Sequence, residues 1–464
     1  MATEKGEKKN PVSAGLAAFG RNLKEIGTTF AQGDAKTRIS YLIFGFGPLL
    51  RGQIAKGLAY LAVEIAFIWY MVSFGWQYVS KLTTLGTVET HKEHRVTVYG
   101  DNSFLILLFG LLTIILVVMF IMIWRMNISE NRKEELLLRA GKPLPSNKKV
   151  LGSLLDSNFH LTLLSVPCLG IFMFTVLPIL FMICVAFTNY DKTHQSPTNL
   201  FTWVGLSNFK QLFSFGNTGF GTTFLAVLAW TLVWAFFATF LDYFLGMAVA
   251  ILINRKSVRF KKLWRTILVI TIAVPQFVSL LYVYKMFAND GLVNGYLMKW
   301  GWISSPIPFW TDPMLARITI IVVNIWIGIP YMMLIATGLL MNIPEELYES
   351  ARIDGASPFQ MFRSITLPYM LFVTGPFLLT QFTGNLNNFN VIYLLTKGQP
   401  QSMRLSDNAG QTDLLVTWLY KMTVTDTNYK MAAVIGIMVF IVVAVTSLIV
   451  YNMLPSVRDE GGFQ

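Results

Sequence analysis

Residues 104–124 read FLILLFGLLTIILVVMFIMIW, from Phe104 to Trp124 without one charged side chain. A helix rises about 1.5 Å per residue, so this stretch covers the roughly 30 Å of a bilayer's hydrocarbon core. Lipid gives the backbone no hydrogen-bonding partner, which leaves helices and closed barrels as the only spanning forms. Barrel strands alternate apolar and polar residues, and this stretch does not. It reads as a membrane helix, and the pattern recurs along the chain.

The 464 residues are 54% hydrophobic and 13% charged, where soluble domains carry about a quarter charged. Mean hydropathy is +0.54. Eight spans are expected near 57–79, 104–124, 161–187, 224–253, 266–287, 318–341, 369–396 and 431–454, an all-α polytopic membrane protein. Connections on the cytoplasmic side collect Lys and Arg. Residues 125–160 hold Arg125, Arg132, Lys133, Arg139, Lys142, Lys148 and Lys149; residues 254–265 hold Arg255, Lys256, Arg259, Lys261, Lys262 and Arg265. The connection 188–223 offers only Lys192 and Lys210, and 288–315 only Lys299. Both termini and the connection 342–368 are therefore expected in the cytoplasm. The net charge of +12 is largely this topological bias. A nucleic-acid surface would gather the basic residues on one soluble face, so that partner class is excluded.

The expected organisation is a cytosolic or interfacial segment 1–56, a two-helix appendage with its basic connection over 57–160, a core over 161–454 and a cytosolic tail 455–464. No secretory signal is expected, because Lys5, Lys8, Lys9, Arg21, Lys24, Lys36 and Arg38 precede any apolar run. Residues 38–56 are apolar but broken by Gly45, Gly47 and Pro48, which suits an interfacial segment better than a span.

Ionisable groups inside spans are costly and invite a functional reading. Glu64 lies near the inner boundary, where it could reach headgroups, and Lys285 can snorkel outward. Asp242 sits mid-span, and two readings stand: a bond to a neighbouring helix, or a place on the transport path. So few such groups argue for an external energy source over ion coupling. Cys168 and Cys184 lie about 24 Å apart along one helix and read as small apolar side chains. His91, His94, His160 and His194 show no ligand spacing beyond His91-x-x-His94 in an exposed loop, so no metal is expected. No Gly-rich phosphate loop is present, so the chain is not expected to hydrolyse ATP or to bind a cofactor.

The seventh span carries Gln381, Asn385, Asn387, Asn388 and Asn390. Buried amides must be bonded or line a wet cavity. On a continuous helix Gln381, Asn385 and Asn388 share one face. Such a face suits a neutral polyhydroxylated ligand; equally, it suits bonds between packed helices. In the sixth span Gly328 and Pro330 predict a local loosening of the kind that marks transport sites.

The 342–368 connection reads as a helix–turn–helix. Pro344 at the first helical position precedes Glu345 and Glu346, which complement the helix dipole. Gly355 suits the left-handed residue that ends a helix, and Ser357-Pro358 restarts one. Phe359 and Phe362 need cover from a partner or from the chain's own helix ends.

Glu349-Ser350-Ala351-x3-Gly355-x9-Ile365-x-Leu367-Pro368 resembles the EAA loop of importer-type ABC transporter permeases, with Ser350 in place of the usual alanine. Asn324-x-Trp326-x-Gly328-x-Pro330-Tyr331, Asn385-x-Asn387-Asn388-Phe389 and Gly410-x-Thr412-Asp413-Leu414-Leu415-Val416 are similar to the maltose/maltodextrin (MalF-like) branch of the binding-protein-dependent sugar permeases. The resemblance implies a bacterial cell-membrane permease that is not itself an enzyme. It implies a second homologous permease subunit, two cytosolic ATPase subunits that hold ATP and Mg, and an external sugar-binding protein. For the substrate wall it implies Gly328, Tyr331, Asn385 and Asn388. It adds Ile272, Ile327, Gln381 and Gly384 at contact positions; Ile272 stands where the family has tyrosine, Gly384 where it has phenylalanine and Gln381 where it has serine. It assigns ATPase coupling to Glu349, Ser350, Ala351, Asp354, Gly355, Phe359 and Phe362. The short 188–223 connection lacks the large external domain of the enteric branch, which would fit a lipid-anchored receptor. The rivals are a secondary transporter of a neutral solute and an integral-membrane enzyme acting on lipid-linked sugar.

Overall fold

The structure is a computed structural model that describes residues 20, 24–93, 96–216 and 219–453. His94, the basic residues Lys5, Lys8, Lys9 and Arg21, and the tail 455–464 lie outside the described residues. Two compact units emerge, residues 1–184 with 194–203, and residues 185–193 with 204–464.

The first unit contains α1 (Ile54–Val79), α2 (Ser103–Arg139) and all but the last residue of α3 (Phe159–Val185). A small antiparallel pair, β1 (His91–Glu93) and β2 (Val96–Val98), stands between α1 and α2. Its contact boundary falls one helix later than residue 161: Phe181 of α3 lies edge-on to Phe104 of α2, ring centroids 5.0 Å apart. The Asn102 side chain accepts from the Leu105 N–H and so starts α2, satisfying one of the donors a helix leaves orphaned. Ahead of α1, the short helices Ala35–Ile39 and Phe46–Leu50 pack on the charged half of α2. Arg51 is buried between Asp34 at 2.8 Å and Glu134 at 3.6 Å, and Lys56 bridges Glu130 (2.5 Å) and Glu134 (2.9 Å). Burial acts to raise the Asp34 carboxyl, but the Thr37 and Arg51 donors outweigh it and hold it below its ordinary range. Glu64 is turned into the protein and not outward. It is buried and accepts the Phe44 N–H at 2.8 Å, satisfying a donor that the turn leaves free.

The second unit contains α4 (Phe220–Asn254), α5 (Lys261–Ala273), α6 (Gln276–Met286), α7 (Pro313–Leu340), α8 (Glu345–Ile353), α9 (Pro358–Leu395), α10 (Leu415–Val424) and α11 (Tyr429–Met453). Among the described residues seven helices are long and apolar enough to cross a membrane, and the bent pair α5–α6 makes an eighth. The expected all-α membrane fold is therefore present. Two apolar clusters hold the unit, one around Trp234, Ile320, Ile392 and Leu414, the other around Tyr243, Met247, Met333 and Met370.

Three details depart from the sequence reading. The fifth span is not one helix: α5 and α6 meet at 92°. Pro275 disfavours the helical conformation in the residue before it, and Val274 is extended (φ −78°, ψ 126°). The sixth span, where loosening was expected, runs unbroken through Pro330. In the seventh, helical geometry lapses at Asn387 and Asn388 before resuming at Phe389.

The 410–416 string also gains a physical role. Asp413 is buried, accepts from the Gly410 N–H at 2.7 Å and the Thr417 hydroxyl at 2.8 Å, and pairs with Lys421 at 2.6 Å. Burial pushes its carboxyl above the ordinary range despite those partners. The string braces the connection between α9 and α10.

Candidate functional site

The candidate wall is built on α4. Thr239 Oγ1 accepts from Asn385 Nδ2 at 3.0 Å, and the Trp234 indole N–H donates to the Asn385 carbonyl at 3.1 Å. Asn388 Nδ2 donates to Asn385 Oδ1 at 3.3 Å, while Asn388 Oδ1 accepts the Val391 N–H and caps the last turns of α9. Both amides thus have structural work. Because the helix lapses at Asn387, the shared face survives only for Gln381 and Asn385.

Three candidates stand differently. Gln381 is half-buried and its side chain makes no hydrogen bond among the described residues. Gly384 is exposed, and a Cβ there would meet nothing within 4 Å. Tyr331 leaves 47% of its surface open. Ile327 packs against the apolar cluster, and Ile272 is exposed at the end of α5, just before the bend.

Gly328 has a closer neighbour than any ligand. Asp242 Oδ2 accepts from Asn324 Nδ2 at 3.0 Å, and the Asp242 carboxyl fills the place that a Cβ on Gly328 would take. Asn324 and Gly328 are one helical turn apart, so both face α4. Asp242 Oδ1 is buried with no partner among the described residues. Of the two readings of Asp242, the bond to a neighbouring helix is the one seen. Thr239 and Trp234 escaped the sequence reading: a Thr and a Trp in an apolar helix carry no signal until their partners are known.

An apolar cavity of about 730 Å³ lies among α4, α9 and α11, lined by Phe236, Phe240, Leu371, Phe372, Leu379 and Val450 among others. It offers no convergent donors and holds none of the candidate amides, so it does not suit a hydroxylated ligand.

The 342–368 connection is largely the helix–turn–helix that was expected. Gly355 adopts φ 77°, Pro358 opens the second helix, and Ser357 forms a capping box with Gln360. Pro344 precedes the helix at its cap and is not its first residue. The Tyr348 and Thr366 hydroxyls lie 2.8 Å apart and join the two helices. Lys256 pairs with Glu345 at 2.9 Å and holds that exposed carboxyl below its ordinary range. Phe362 packs into the cluster around Met370, so it is covered by its own chain. Phe359 is 70% exposed and Ile353 86%. Glu349, Ser350 and Asp354 are exposed and Ala351 half-buried. No group of three His, Cys, Asp or Glu among the described residues is placed to hold a metal.

Comparison with known proteins places these features. Residues 242–459 match the family profile of the binding-protein-dependent transport system inner membrane component. The chain is 34% identical over 443 residues to the maltodextrin transport system permease protein MdxF of Bacillus subtilis, covering 93% of this chain and 98% of that one. It is 35% identical over 424 residues to the galactooligosaccharides transport system permease protein GanP of the same organism, covering 90% and 97%. A bacterial ABC transporter that imports the acidic polysaccharide alginate shares the fold, with a TM-score of 0.52 at 22% identity over 66% of this chain and 98% of that one.

Proposed function

This chain belongs to the family of inner membrane permease components of binding-protein-dependent ABC sugar transporters, and on that premise we propose that it carries a neutral oligosaccharide of the maltodextrin kind. The observation that supports this most is the division of labour across the sixth and seventh spans. Asn385 and Asn388 bond to the framework, while Gln381, Gly384 and the Tyr331 ring remain open. An uncharged amide can bond hydroxyls, and an exposed ring can stack on the C–H face of a sugar. Gly328, Ile272 and Ile327 would shape the same wall. The two named relatives serve a maltodextrin and a galactooligosaccharide system, so the sugar class is better supported than one sugar.

In this proposal the chain pairs with a second permease subunit, an external binding protein and two ATPase subunits. ATP and Mg sit on the latter and no cofactor on this chain. Both termini and α8 face the cytoplasm, residues 57–160 form an appendage to the core, and Glu349, Ser350, Ala351, Asp354, Gly355, Phe359 and Phe362 make up the coupling loop. Ile353 and Phe359 would supply its apolar contacts.

The structure dictates how to test the wall. Replacing Asn385 or Asn388 would damage the framework, so a loss of transport would not identify a contact. Gly384→Leu fills open space and Gln381→Leu removes only an unbonded amide. Both should leave assembly intact and abolish or redirect maltodextrin uptake in proteoliposomes of the whole transporter. Unchanged uptake by both variants refutes the wall. For the loop, Phe359→Glu should leave the chain in the membrane but prevent ATPase subunits from co-purifying.

A further inference from the structure

The first unit sorts its cations into two sets. Arg51 and Lys56 are consumed by Asp34, Glu130 and Glu134 in the buried seam against α2. Lys36 and Arg38, on the outer side of the same segment, are not. Lys36 Nζ donates to the Leu50 carbonyl at 3.3 Å, and Arg38 donates to the carbonyls of Phe30 (3.0 Å) and Ala31 (2.8 Å). Neutral acceptors hold these side chains in place, and among the described residues neither charge is paired with a carboxylate. The neighbouring carboxylate on residues 24–32 is Glu25, itself exposed.

Beside these cations the segment is apolar and bare. Leu42 is 82% exposed, and Ile39 and Ile43 are also open. Its depth is marked by aromatic rings. The Trp124 indole N–H donates to the Tyr41 carbonyl at 2.9 Å, and Tyr41 packs edge-on between Trp124 and Phe30. Trp124 closes the apolar stretch of α2, the position where Trp and Tyr mark the boundary between hydrocarbon and headgroup. Ile39, Leu42 and Ile43 flank Tyr41 and therefore lie at that boundary.

We propose that residues 36–43 form an anionic-phospholipid site: Leu42, Ile39 and Ile43 enter the acyl layer while Lys36 and Arg38 hold a phosphate headgroup. The continuity of this face with the spans α1 and α2, and its free positive charge, select lipid over a protein partner.

The test uses the full chain in nanodiscs, with Cys168→Ser and Cys184→Ser and a fluorophore on Leu42→Cys. Spin-labelled phosphatidylglycerol should quench the label more strongly than spin-labelled phosphatidylcholine, and an aqueous quencher should reach it poorly. Lys36→Gln with Arg38→Gln should erase the preference, by roughly fivefold for each cation removed. Native mass spectrometry of the unlabelled wild-type chain should retain phosphatidylglycerol over phosphatidylcholine, a readout independent of how the variants fold. Free aqueous quenching, or equal quenching by both lipids, overturns the site. A label shielded from both lipid and water in native membranes but not in nanodiscs overturns it in favour of a protein partner.

Discussion

Between α4, α7 and α9, polar side chains are buried in an apolar layer; on α8 and the start of α9, apolar side chains stand open among charges. The two regions have different obligations. A polar atom in lipid must find a partner, so Asn385, Asn388, Asn324 and Asp242 are bonded to the framework first, and their use for a ligand comes second. An exposed Phe359 or Ile353 has no such obligation to its own chain, so its cover must come from elsewhere. A residue type that suggests binding is thus weaker testimony inside the membrane than outside it.

The largest effect that would break this contrast is expected at Gly328. Valine there drives two methyl groups into the Asp242 carboxyl. Overpacking costs about 1–3 kcal/mol, and loss of the Asn324 bond adds to it. We expect Gly328→Val to lower the melting temperature of the purified chain and its yield in the membrane together with uptake. If the variant melts like the wild type but fails to transport, Gly328 is a ligand residue and not a packing one.

A smaller effect separates the two uses of Asn385. Thr239→Val removes the hydroxyl that accepts from Asn385 Nδ2. Hydrogen bonds between membrane helices average about 0.6 kcal/mol, so melting should shift only slightly. The freed amide then turns to the ligand or stays idle. A lower KM for sugar uptake would show that the framework competes with the substrate for Asn385; an unchanged KM would assign this amide to the framework alone.

The span count and the loop were legible because they rest on local rules. Apolar length marks a membrane helix, and Ser357-Pro358 and Gly355 mark helix ends whatever surrounds them. The breaks were legible in principle, but the signal was weighed wrongly. Pro330 sits in a helix that runs through it unbroken, whereas Pro275 follows Val274, whose extended backbone turns the chain. The Gln381, Asn385, Asn388 face failed because its spacing assumed a helix that Asn387 ends. Glu64 was read toward the headgroups, and the two readings of Asp242 stayed open, for another reason. Their partners, the Phe44 N–H and Asn324, lie 20 and 82 residues away, beyond any local pattern.

The smallest effect is expected at Lys256. Its pair with Glu345 ties α8 to the connection after α4, but both side chains are largely exposed. Exposed pairs are screened by salt and contribute little. The Glu345 carboxyl is held below its ordinary range by Lys256, so any contribution is complete at neutral pH and fades only as acid titrates the carboxyl. Lys256→Ala should therefore leave thermal melting at pH 7 unchanged, because the Ser357–Gln360 box and the Tyr348–Thr366 contact hold the loop independently. That independence gives the variant its use. With the fold unchanged, altered retention of ATPase subunits in a pull-down would report the orientation of α8 alone. A clear fall in melting temperature would mean that the surface pair braces the loop, and the contrast between a self-sufficient loop and a framework-bound wall would fail.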